Sequence, residues 1–237
     1  MNPTARFTYS LSTRCQLLPR LMFCLLLLGS APVLLLSSAS AQPGNTATTY
    51  DIDSDSSILR IYVGRAGPLA RMGHNHVVHS RELTGEVMLA ATATDSSATF
   101  TVPVSSLVVD EQSERDRAGE GFESQPDASA IEGTRGNMLS EAVLNAEAYP
   151  TVAISATPIS IDGSTWLLAI QLEISGNTVD LEIPAQVQSS AETLSAQASF
   201  TLQHEDLGLT AFSALGGAMR VAEAIDFELQ VSATARN

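Results

Sequence analysis

Lysine is absent from all 237 residues, and the 12 basic residues, all arginine, face 26 acidic ones. So acidic a balance excludes nucleic acid and anionic headgroup surfaces as broad-surface partners and favours solubility. Only two cysteines occur, Cys15 and Cys24. Both precede residue 42, so the remainder can form no disulfide and offers no thiol nucleophile or thiolate ligand. There is no Gly-x-Ser-x-Gly, no His-Glu-x-x-His and no glycine-rich phosphate loop, which removes the commonest signatures of hydrolysis and nucleotide chemistry. Apart from one stretch at the start, long apolar runs are missing too.

That stretch is a leader. Residues 1–20 carry Arg6, Arg14 and Arg20 with no acid, Leu21 to Leu36 is almost unbroken apolar sequence, and small residues follow up to Ala41. The order is that of a secretory signal peptide over residues 1–41, cleaved ahead of Gln42. Gly29, Ser30 and Pro32 interrupt the apolar run and argue against a permanent membrane span. The domain expected over residues 42–237 keeps nine basic residues against 26 acidic ones, a formal charge of −17. Its predicted location is the periplasm of a double-membraned bacterium.

From Tyr50 onward the pattern has period two, the signature of half-buried strands. Leu59, Ile61 and Val63 share one face, and Arg60 and Tyr62 the other. The same alternation recurs around Val87, through Phe100 and Val102, along Trp166, Ile170 and Ile174, then at Leu181, Phe200 and Phe227. Asp162-Gly163 and Ser175-Gly176-Asn177 supply hairpin turns. About eight antiparallel strands with one apolar face each close most economically into a barrel or a sandwich, and a barrel leaves no exposed edges. Residues 110–139 break the rhythm with crowded charge and predict a short-helix excursion or a cover.

Three of the four histidines fall within Arg71-Met72-Gly73-His74-Asn75-His76-Val77-Val78-His79. In extended backbone His74 and His76 lie on one face, about 6.6 Å apart over two residues of rise, while His79 takes the opposite parity. With His204 they form a candidate divalent-metal site for zinc, copper or nickel. The alternative is that His74 and His76 anchor the turn by hydrogen bonds or meet a ligand headgroup beside Arg71. His204 and Glu223 share an inward parity and form a candidate acid–base pair, but no nucleophile motif accompanies them, so the chain reads as a non-enzyme.

The order of short motifs resembles the YceI-like family of exported lipid-binding proteins. The resemblance is carried by Tyr50-Asp51-Ile52-Asp53, Leu83-Thr84-Gly85-Glu86-Val87, Gly133-Thr134-Arg135-Gly136-Asn137-Met138-Leu139, Leu144-Asn145-Ala146-Glu147-Ala148-Tyr149-Pro150 and His204-Glu205-Asp206-Leu207-Gly208-Leu209. It implies an all-β, lipocalin-like antiparallel barrel with short helices in the 110–145 region, packed near one opening. It also implies an elongated apolar cavity for a polyisoprenoid, quinone-like or fatty-acyl chain. The Gly73-His74-Asn75-His76 element departs from many members of the family.

The reading is then an exported carrier or reservoir for a hydrophobic small molecule or lipid, needing no cofactor beyond that bound lipid or isoprenoid. Its candidate ligand-binding residues are Arg71, His74, His76, Val87, Phe100 and Val102, together with Trp166, Ile170, Leu181, Phe200, His204 and Phe227. An envelope metal-binding protein using His74, His76 and His204 is the alternative.

Overall fold

A computed structural model describes residues 47–236. The leader expected over residues 1–41 lies outside the described residues. Among the described residues no helix is long and apolar enough to cross a membrane.

The strands form eight antiparallel staves, and three of these are broken in the middle. The first is β1 (Thr48–Ile52) continuing into β2 (Ile58–Ala66), interrupted by one helical turn at Ser54–Ser56. Asp53 starts that turn by accepting from the Asp55 backbone N–H at 3.1 Å. The second is β3 (His76–Ser80) with β4 (Thr84–Leu89), and the third β5 (Ser97–Pro103) with the short β6 (Val108–Val109). Then come β7 (Thr151–Asp162), β8 (Thr165–Ile174), β9 (Asn177–Ser189) and β10 (Thr193–Gln203). The two-residue β11 (Ser213–Ala214) pairs only with the last stave, β12 (Met219–Ala235).

Each stave pairs with the next, and β12 pairs back onto β1 and β2, closing the barrel. The lipocalin-like antiparallel barrel that the family resemblance implies is the fold observed, and of the barrel and sandwich allowed by the alternation it is the barrel that forms. The hairpins turn where the sequence places them, at Asp162-Gly163 and Ser175-Gly176. Gly85 is required where β4 crosses β5, because a Cβ there would lie 2.1 Å from the Thr99 carbonyl oxygen.

The two halves of the barrel differ. In one, Tyr50, Leu194 and Ala233 pack with Val87, and Leu83, Val102 and Val231 pack with Phe100, Ile154 and Leu229. An eight-stranded barrel has an interior just wide enough to be filled by its own side chains or to hold one small ligand, and this half is filled. At the other end the 110–145 excursion folds as two helices, α1 (Gln112–Ala118) and α2 (Ala128–Leu139). Asp127 caps α2 by accepting from the Ala130 N–H at 2.8 Å. Ile131, Met138 and Leu139 of α2 pack with Leu144 onto Val78, Leu107 and Val109, so the helix covers this mouth rather than filling it.

Candidate functional site

Behind that cover lies a cavity of about 300 Å³. Ile61, Val63 and Val78 of β2 and β3 form one continuous wall with their cross-strand neighbours Val221, Ile225 and Phe227 of β12, and Met138, Val143 and Leu144 form the roof. Strand β12 makes the room. Val221 pairs with Arg65 and Ile225 with Val63, so four residues of β12 are spent where β2 uses two, and the stave bulges.

The polar groups gather at one end. Arg65 continues the inward parity of Ile61 and Val63 to the mouth, and His74, His76, Thr134, Asn137 and His204 line the same cavity. Among the described residues no aspartate or glutamate lines it.

Of the residues expected from the sequence, the structure brings His74, His76, His204 and Phe227 together on this cavity. Phe200 stacks behind Phe227, with ring centroids 5.2 Å apart. Arg71 is exposed in the turn Ala70–Met72, one residue from the lining Ala70. Val87, Phe100 and Val102 belong to the packed half. Trp166, Ile170 and Leu181 lie along β8 and β9, Trp166 opposite Ala185 and Ile170 opposite Leu181, and none lines the cavity, whereas Ile174 at the other end of β8 does.

The histidines do not converge. His76 is held by a hydrogen bond from Nδ1 to Asp110 Oδ2 at 2.6 Å, which turns Nε2 toward Thr134 Oγ1 at 3.4 Å. His74 Nδ1 lies 3.3 Å from Ser124 Oγ, and the His74 and His76 ring centroids are 6.3 Å apart. Among the described residues no group of three or more His, Cys, Asp or Glu side chains is placed to hold a metal ion. His79 keeps strand parity and faces away from the cavity, its Nε2 3.0 Å from Glu111 Oε2.

The expected His204–Glu223 acid–base pair does not form. His204 Nδ1 donates to the backbone carbonyl of Glu223 at 2.9 Å, and the carboxylate instead lies 3.7 Å from Arg220. The physical reason is the β12 bulge, which keeps Val221 and Ile225 on the cavity but turns the intervening Glu223 out of the alternation and leaves it exposed.

What sequence reasoning missed stands just outside the wall. Asp110 and Arg115 are both buried, and Arg115 Nη1 donates to Asp110 Oδ1 at 2.5 Å and to the Asn75 carbonyl at 2.8 Å. Its Nη2 donates to the carbonyls of Phe122 and Ser124, fastening the loop after α1. Asp110 also accepts from the Val77 N–H at 2.9 Å. Burial opposes its charge, but the hydrogen bonds from His76, Val77 and Arg115 prevail and hold its carboxyl below the usual carboxylate range. Glu114 behaves likewise. Burial opposes its charge, and Arg60, whose Nε donates to Glu114 Oε2 at 2.6 Å, outweighs it. Arg65 was legible, since it sits two residues beyond Val63 on the same parity. The α2 residues Thr134 and Asn137 carried no periodic signal.

An antiparallel eight-stave barrel, helix-covered at one mouth over an apolar cavity with a polar rim, defines a small-cavity lipocalin-like protein. The chain belongs to the YceI-like family, whose domain model matches residues 50–233. Solved structures share the fold, BcnA and a polyisoprenoid-binding domain among them. BcnA of Burkholderia cenocepacia superposes with a TM-score of 0.57 at 14% identity, over 78% of this chain and 100% of that one. A polyisoprenoid-binding domain from Saccharophagus degradans, implicated in plant cell wall breakdown, superposes with a TM-score of 0.52 at 13% identity, over 79% and 98%. No curated protein sequence matches the chain.

Proposed function

We propose that this protein is an exported, periplasmic carrier or reservoir that holds the end of a lipid chain in the barrel, binding without catalysis. The observation that carries the reading is an unfilled apolar cavity of about 300 Å³ in a barrel whose other half is packed. The polyisoprenoid-binding domain with the same fold supports a chain-like ligand, and the leader supports export.

Size narrows the cargo. A methylene takes roughly the space of a water molecule, about 30 Å³, so the cavity holds a chain segment of at least about ten carbons. At about 0.8 kcal/mol each, their burial yields about 8 kcal/mol before the costs of ordering and association. A longer polyisoprenoid, quinone-like or fatty-acyl chain enters by one end and leaves the rest outside.

Native mass spectrometry of protein taken from the host envelope tests this, with the denatured mass recorded alongside. An excess of several hundred daltons that fragments as a lipid is the expected result. Identical native and denatured masses, together with no uptake of added ten-carbon chains, count against the reading.

A further inference from the structure

The acidic chain leaves one arginine on the cavity lining without a carboxylate partner. Of the nine arginines among the described residues, six lie within salt-bridge distance of a carboxylate: Arg60, Arg81, Arg115, Arg117, Arg220 and Arg236. The three that do not are Arg65, Arg71 and Arg135. Of these Arg65 lines the cavity, Arg71 is exposed in its turn, and Arg135 donates to the Ser105 carbonyl; the other arginine on the lining, Arg220, is paired with Glu223. With 26 acids available for pairing, an arginine without one beside an apolar cavity is the arrangement to explain.

Arg65 is not idle structurally, but it is far from saturated. Nη1 donates to the Gly73 carbonyl at 2.5 Å, which fixes the guanidinium toward the His74 segment and leaves its other N–H groups unengaged among the described residues. His74, His76, Thr134, Asn137, His204 and the carboxylate-paired Arg220 offer further polar atoms on the same cavity. A guanidinium presents a planar fork that matches carboxylate and phosphate oxygens, and it keeps its charge at any working pH. An apolar pocket with such a fork at its mouth and no lining acid discriminates by headgroup charge.

We infer that the mouth of this cavity reads an anionic headgroup, carboxylate or phosphate, with Arg65 as the principal ligand and the alkyl chain directed inward. This rests on the cavity reading above and narrows it from lipids in general to anionic single-chain amphiphiles. The chain length sets how much surface is buried; the headgroup sets which amphiphile is retained.

The test is calorimetric titration at pH 8 of the full domain with four ten-carbon probes below their micelle-forming concentrations: decanoate, decyl phosphate, decanol and decylamine. A charge-assisted hydrogen bond to the headgroup is expected to make at least one anion bind tenfold or more tighter than decanol. The stronger of decanoate and decyl phosphate identifies the headgroup. Arg65→Gln is expected to bring the ratio of anion to decanol affinity toward one, with thermal melting recorded to show that the variant is folded. Decanol binding as tightly as both anions overturns the headgroup inference and leaves the cavity reading intact, as does an unchanged ratio in Arg65→Gln. Failure of all four probes overturns both.

Discussion

His76 Nδ1 donates to Asp110 Oδ2 at 2.6 Å, and this bond joins the lining of the cavity to a buried ion pair beyond the end of β6. Asp110 takes a left-handed backbone conformation at φ 55°, its own N–H donating to the Val77 carbonyl at 2.7 Å while its carboxylate accepts from the Val77 N–H. The strand β6 thus ends in a side chain that stands in for the next peptide. One face of the carboxylate orients a cavity histidine and the other receives Arg115, which fastens the loop after α1.

Arg115→Met tests the energetic side of that joint. The arginine side chain is 1% exposed and its partner Asp110 is 0% exposed, so the substitution strands a buried carboxylate and leaves the carbonyls of Asn75, Phe122 and Ser124 without their donor. The expected loss is about 3 kcal/mol or more, measured by urea denaturation. A loss under about 0.5 kcal/mol, the range of ordinary surface substitutions, means that the pair is solvated in solution.

Acid gives the second check. Asp110 and Glu114 both have carboxyls held below the usual range in the folded chain. A carboxyl depressed on folding contributes stability that is complete above its unfolded value, about 4, and is lost as pH falls through its lower folded value. Stability is therefore expected to be level from neutral pH to about 5 and to fall below about 4. Asp110→Asn starts from a lower plateau and falls less steeply. Equal slopes for variant and parent would sink the assignment of this acid response to Asp110.

The strands were legible because parity is written in every other residue, and Leu59, Ile61 and Val63 do face inward as their alternation requires. Parity states which face a side chain takes and is silent on which end of the barrel it reaches. Phe100 and Val102 were therefore grouped with Phe227, although they pack in the filled half and Phe227 lines the cavity. His74, His76 and His204 stood out by scarcity, and their shared location followed from the topology. Asp110 and Arg115 did not stand out, because their burial depends on how residues 110–139 fold back over β3, and that segment has no period to read. The Glu223 parity failed where β12 bulges.

Helix α2 carries Gly133 and Gly136 in its interior, and a Cβ at either position meets nothing within 4 Å. Each glycine costs a helix roughly 0.5–1 kcal/mol relative to alanine. Since α2 roofs the cavity, Gly133→Ala and Gly136→Ala are expected to raise the melting temperature and to slow release of a bound chain, with the double variant slower than either. Stopped-flow displacement of a fluorescent fatty acid measures the release. Faster release from a more stable helix would mean that chains leave by another route than past α2.

Whether the cavity is room or an ordinary packed interior can be decided by filling it. Val63 lines the cavity, and Val102 lies 2% exposed in the packed half of the same barrel, so one substitution placed at each meets opposite surroundings. Val102→Phe forces a larger ring among Leu83, Val231 and their neighbours and is expected to cost 1–3 kcal/mol, roughly the range for overpacking a filled core. Val63→Phe extends into unoccupied volume, so its stability is expected to stay within about 1 kcal/mol of the parent while uptake of ten-carbon chains weakens tenfold or more. Urea denaturation and calorimetric titration read the two effects separately. Equal destabilisation at both positions would show that the open half packs as tightly as the closed one, and a barrel without room for a chain has no carrier function to explain.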